Sequence, residues 1–279
     1  MNMKRTFIIF FALVFAISFG TAQELPQDKL EEVFGEYQSK IESAAILKDC
    51  GHALDGPAYI TKQLENNWLD FMLYVTPEAR VNIGRQMYNR YLFLGKIDNT
   101  NSSYSKVQEI LSKLIKFANS KNVSYHLNIL KSDDINAFAT LGGYLYITTG
   151  LINFVESYDE LAFVIGHEIA HEDKLHTQRK ITKLTLSSNL LDMTRMDGFK
   201  EIAKNINNTL SAPFDQIDEY ESDSYGFEMA KKAGYDVNRF ADFFKKLEKY
   251  EKQDLLEKLT RTHPFSEHRK NCIEQKINN

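Results

Sequence analysis

The chain has 279 residues, 43% of them hydrophobic and 26% charged, which suits one large globular domain or a compact domain with an extension. Its formal net charge is -4 and no Lys or Arg block gathers along it, so a nucleic-acid surface has no electrostatic footprint here.

Lys4 and Arg5 open the chain, followed by an uncharged apolar run from Thr6 to Phe19 and the small residues Gly20, Thr21 and Ala22. These are the three parts of a secretory signal, so residues 1–22 read as a signal peptide cleaved after Ala22. The run is shorter than the ~20 residues a spanning helix needs, which disfavours an uncleaved anchor. Gln23 follows the site instead of Cys, so lipid attachment is not indicated. The expected location is therefore the periplasm or the outside of the cell.

Residues 23–75 read as an amino-terminal helical extension, with an amphipathic helix over Asp28–Lys48, a turn from Asp49 to Pro57 and a second helix over Tyr59–Trp68. The two cysteines, Cys50 and Cys272, either pair in an oxidising compartment or stay separate as buried thiols. Residues 76–279 read as the main domain. Thr76-Pro77-Glu78 is a helix start, and that helix continues to about Leu94. Val107, Ile110, Leu111, Leu114 and Ile115 place another helix over Ser105–Ala118.

The period then changes to two. Tyr125, Leu127 and Ile129 predict a half-buried strand, and Ala137–Ala139 and Tyr144–Thr148 predict two more around Gly142-Gly143. Beyond Gly150 the pattern is helical, broken near Ser211-Ala212-Pro213, Gly234-Tyr235-Asp236 and Arg261 to Pro264. The fold class is α+β, mainly α, with a small sheet of three to four strands.

Asp159–Lys174 is a helix that carries His167-Glu168-Ile169-Ala170-His171. Histidines four apart project from one face one turn apart, which suits two nitrogen ligands on one zinc ion. Glu168 is turned about 100° from His167, out of a ligand position but within reach of a water on the metal. Val164, Ile165, Ile169 and Ala170 make the helix apolar nearly all round, so these polar groups need a partner to offset burial. Gly166, costly in a helix interior, predicts a close backbone approach.

A third ligand is expected from Glu219 to Asp223. On a helix Glu219 and Asp223 share a face, while Glu221 points roughly 200° away from Glu219. That phase favours Glu219 as the ligand, with Asp223 accepting a hydrogen bond from a ligating imidazole. His263-Pro264 lies in a helix break with Arg269 beyond it. His263 faces the site as an oxyanion partner or loose fourth ligand, or is a loop histidine bonded locally. His52, His126, His176 and His268 read as surface or packing residues.

Together these segments resemble the HtpX/CAAX-prenyl-protease-like zinc metallopeptidases, family forty-eight of the metallo class, in the soluble exported BepA-like branch without a repeat domain. The resemblance runs from about Thr76 to Ile277 and rests on Asn136-Ala137-Phe138-Ala139 with Gly142-Gly143-Tyr144 and Thr148 to Leu151, then on the HEIAH segment, on Glu219 to Asp223, and on His263-Pro264 with Arg269. It implies a gluzincin-type zincin fold with the sheet packed on the active-site helix. It implies one zinc ion on His167, His171 and Glu219, with Glu168 as base, Asp223 and Arg269 behind the ligands, and His263 near the cleft. It also implies a polypeptide substrate bound extended along Asn136, Ala137, Phe138 and Ala139, with membrane or envelope proteins as candidate clients. Ser222, where the family has Ala, and Thr140-Leu141, where it has an apolar residue and Pro, are departures. The expected activity is endopeptidase cleavage of unfolded or misassembled exported proteins. The rivals are a zinc-holding chaperone or binding module with little turnover, and a hydrolase of non-peptide amides.

Overall fold

The computed structural model describes residues 75–120, 122–187, 212–250, 257–264 and 267–278, together with Lys62, Glu65, Asn66, Asn67, Leu69 and Asp70. All of them belong to one compact unit. The expected signal peptide, the Asp28–Lys48 helix, Cys50 and His52 lie outside the described residues. No helix among the described residues is long and apolar enough to cross a membrane.

Helix α1 (Pro77–Phe93) begins as its sequence requires. Thr76 accepts a hydrogen bond from the Ala79 amide, and Pro77 fills the first turn where no amide partner is needed. Helix α2 (Tyr104–Leu114) buries Val107, Ile110, Leu111 and Leu114, and ends in a tighter turn over Ile115–Phe117. Three strands follow, β1 (His126–Leu130), β2 (Ala137–Ala139) and β3 (Tyr144–Thr148), in the order β1-β3-β2. β1 runs parallel to β3, and β2 antiparallel to it with Phe138 opposite Tyr146. The remainder is helical: α3 (Thr149–Phe154), α4 (Tyr158–Asp173), α5 (His176–Ser187), α6 (Gln216–Lys232), α7 (Asn238–Tyr250), α8 (Glu257–Thr262) and α9 (Glu267–Asn278).

One face of the sheet, with Leu127, Ile129, Ala137, Ala139, Leu145 and Ile147, joins α2, α4, α6 and α7 in the main core. The other face is not open to water. Tyr146 stacks on Phe138 at 5.0 Å and meets Tyr91 of α1 edge-on at 5.2 Å. The expectation of a half-buried β1 is therefore corrected: Leu127 through Leu130 are all buried, Asn128 among them, because α1 covers the second face. Asn128 meets the cost of burial by donating to the His126 carbonyl at 3.2 Å.

Helix α4, which carries His167 and His171, is buried from Glu160 to Glu172. It crosses α6 where Gly166 meets Gly226, and a Cβ on Gly226 would sit 2.7 Å from the His167 amide nitrogen. The close approach expected of Gly166 is thus real, and Gly226 is its counterpart. At the far end, the Glu172 carboxylate accepts from the amides of Gly142 and Gly143 at 3.0 and 3.1 Å and pairs with Arg80 at 2.5 Å. Both glycines have positive φ, 72° and 84°, which only glycine adopts without strain. Thr140-Leu141 is accommodated: Thr140 bonds the Tyr144 carbonyl through its amide at 2.8 Å, and Leu141 is buried. One carboxylate on α4 therefore fixes the β2–β3 turn against the helix.

Cys272 is buried and disulfide-bonded.

Candidate metal centre

Glycine at the α4–α6 crossing sets the site. Glu219, Asp223 and Gly226 fall on one face of α6, so the close contact at Gly226 lays both carboxylates against the histidine face of α4. The Nε2 atoms of His167 and His171 face each other across 2.9 Å. Glu219 Oε1 lies 3.3 Å from His171 Nε2 and 3.1 Å from His263 Nδ1. His263 Nδ1 is in turn 3.3 Å from His167 Nε2. Donor atoms of these four residues all lie within 4.8 Å of one another, and all four residues are buried.

That donor set fits a zinc ion. Tetrahedral zinc with bonds of ~2.0–2.1 Å holds its ligand atoms about 3.3 Å apart, which matches the spacings around the ring. Without a cation, buried imidazole lone pairs facing one another would repel and go unsatisfied. Glu168 stands beside the cluster and not in it, with Oε1 3.5 Å from His263 Nε2. Its Oε2 is buried and has no hydrogen-bond partner among the described residues, the condition of a carboxylate that takes a proton from a water.

Charges around the cluster are balanced by Arg269 of α9. Its Nε and Nη2 grip Asp223 at 2.6 and 2.8 Å, and its Nη1 pairs with Glu219 at 2.6 Å and bonds the Pro264 carbonyl at 3.0 Å. Burial works against ionising both carboxylates, yet the Arg269 guanidinium holds Asp223 below and Glu219 well below the usual range. Asp223 Oδ1 is 2.9 Å from His167 Nδ1 and so accepts its proton, leaving Nε2 with a free lone pair. Burial pushes the His171 imidazole well below its ordinary value, which keeps it neutral and able to ligate.

Sequence reasoning missed three neighbours. His176, read as a surface or packing residue, is buried, and its Nδ1 lies 3.2 Å from both His171 Nδ1 and Ser222 Oγ. Ser222 therefore gives His176 a hydroxyl partner that an Ala at this position could not supply. Glu221, the rejected ligand, faces His176 Nε2 at 3.2 Å. Phe214 stacks on the His171 ring with centroids 3.8 Å apart, and Lys180 Nζ sits 3.4 Å from the Phe214 centroid. Burial lowers the Lys180 ammonium to about 7. Periodicity gives no sign of Phe214, because it sits in the loop before α6.

β2 pairs with β3 on one side, and among the described residues no strand lies on its other side. Ala137 and Ala139 turn inward, Phe138 is half-buried, and Asn136 Oδ1 is buried with no partner among the described residues.

The family model for Peptidase family M48 matches residues 101–277. The chain is 29% identical to a Beta-barrel assembly-enhancing protease of Yersinia pestis over 150 residues, 49% of this chain and 31% of that protein. It is 29% identical to the Escherichia coli K12 protein of that name over 148 residues, 48% of this chain and 30% of that one. To a Mitochondrial metalloendopeptidase OMA1 of Arabidopsis thaliana it is 30% identical over 160 residues, 56% of this chain and 32% of that protein. The matched segment thus spans about a third of the length of these relatives. A match over more than half the chain, taking in the buried histidine and carboxylate cluster, places this protein in peptidase family M48.

Proposed function

We propose that the protein is a zinc-dependent endopeptidase that cleaves unfolded or misassembled exported proteins. The observation that carries this is the convergence of His167, His171 and Glu219 beside the unpartnered Glu168 Oε2. Zinc, when bound, supplies Lewis acidity that lowers the pKa of a water toward ~7 and polarises a carbonyl oxygen. His167, His171 and Glu219 would hold it, with Asp223 fixing the His167 tautomer. Glu168 takes the proton from the attacking water and passes it to the leaving amine. His263 Nε2, on the same side as Glu168, can donate to the oxyanion that develops.

The substrate would lie extended along the free edge of β2, where main-chain hydrogen bonds tolerate many sequences. The unpartnered Asn136 Oδ1 supports this, since a substrate amide would satisfy it. The apolar start of the chain supports export, and the bacterial relatives, named for enhancing β-barrel assembly, support envelope proteins as clients.

A second reading has its own observation. His263 Nδ1 stands among the ligand atoms, and a fourth protein ligand would close the position that a catalytic site keeps open. In that form the protein binds clients and turns over little until His263 withdraws.

Digestion of an unfolded protein, with and without chelator, tests both. Glu168→Gln should lower the rate about 10²–10⁴-fold, and cleavage that survives the substitution contradicts the mechanism. An inert wild type beside an active His263→Ala variant selects the restrained form.

A further inference from the structure

The two histidine ligands of α4 differ in what stands behind them. His167 has a carboxylate, whereas His171 has another imidazole. A histidine that offers Nε2 to a metal carries its proton on Nδ1, and that proton needs an acceptor, because the group is fully buried. The ring nitrogen within reach of His171 Nδ1 is His176 Nδ1, at 3.2 Å. If His176 accepts there, its own proton sits on Nε2, and Nε2 faces Glu221 Oε2 at 3.2 Å and Asp218 Oδ1 at 3.7 Å. Each partner therefore has the polarity the preceding one requires. We infer that His176 is a positioning residue of the metal site, which fixes the tautomer and ring orientation of His171 by accepting its Nδ1 proton and relaying the demand to Glu221.

The backbone is shaped to bring His176 there. In an unbroken helix, a residue five positions after His171 would point roughly 140° away from it. Helix α4 instead ends at Asp173, and Leu175 takes φ of 62° before α5 begins at His176. A left-handed conformation is strained for a residue with a β-carbon. Such strain persists where the surroundings hold it, and its effect here is to fold His176 back over His171. Ser222 adds a second contact to the same nitrogen at 3.2 Å, from the helix that carries Glu219.

The inference rests on the zinc reading of the same cluster, so the test reads metal affinity and not cleavage. Zinc affinity of the full chain is measured by competition with a chelator, alongside thermal melting of the zinc-free protein. His176→Leu removes both nitrogens and should weaken zinc binding about 10–100-fold. His176→Asn, whose Oδ1 takes the place of the accepting nitrogen, should keep most of the affinity. A folded Leu variant with wild-type affinity overturns the inference, as does an Asn variant that falls as far as Leu. A role in packing alone would lower the melting temperature and leave zinc affinity unchanged. If the Leu variant does not fold, His176→Gln serves in its place. Its amide falls at the outer nitrogen, so binding should be weaker than in His176→Asn, and equal binding overturns the inference. A wild type that binds no zinc would instead remove the reading of the site itself.

Discussion

The regions behind His167 and His171 make an instructive pair. Behind His167 lie Asp223 and Arg269, a buried ion pair with both heavy ends closed by direct contacts. Behind His171 lie an imidazole and a hydroxyl, His176 and Ser222, and then Glu221, whose side chain is 27% exposed. The first arrangement is strong because it is dry, and fragile for the same reason, since losing one partner strands a buried charge. The second ends in solvent, where water can replace what is lost. Two histidines one turn apart are thus supported by different physics, and the protein should respond unequally to damage on the two sides.

Arg269→Met tests the dry side and should give the largest loss. It leaves Asp223 and Glu219 without their guanidinium, so unfolding free energy of the zinc-free protein should fall by about 3–5 kcal/mol in urea titration. The sign of its pH dependence follows from the lowered carboxyls. Asp223 and Glu219 hold folded pKa values below their unfolded ones. Their contribution is therefore complete above the ordinary carboxylate range and disappears as pH falls through their folded values. The gap between wild type and variant should shrink on acidification, and a gap that widens would contradict the assignment. Glu221→Gln tests the wet side and should give the smallest effect, under about 1 kcal/mol, because the group is partly solvated and an acceptor oxygen remains. Equal losses in the two variants would break the comparison.

What the sequence discloses about this site depends on whether one regular helix carries the information. His167, Glu168 and His171 lie on a single helix, so spacing alone orients them. Glu219 is preferred to Glu221 by the same phase argument on α6, and Glu219 is the carboxylate that lies among the donors. His176 escaped that logic because a left-handed residue, Leu175, interrupts the helix just before it. Phe214 and Lys180 escaped it because one lies in a loop and the other on a different helix, and the stacking of Phe214 on His171, with Lys180 over Phe214, exists only in three dimensions. Strand positions were legible from the alternation of β1 and from Gly142-Gly143. The burial of Asn128 was not, since nothing local reveals that α1 covers the sheet's second face. Gly226 shows the same limit: Gly166 signals a close approach, but its partner is known only from the crossing of α4 and α6.

On this reading three buried side chains from α4 and α6, His167, His171 and Glu219, hold one metal ion beside His263. Zinc content after exhaustive dialysis of the loaded protein tests it most directly, with wild type beside His167→Ala and Glu219→Gln. About one ion should be retained per wild-type chain, with marked loss from both variants while they remain folded. Undiminished zinc in a folded His167→Ala protein would place the metal elsewhere and contradict it.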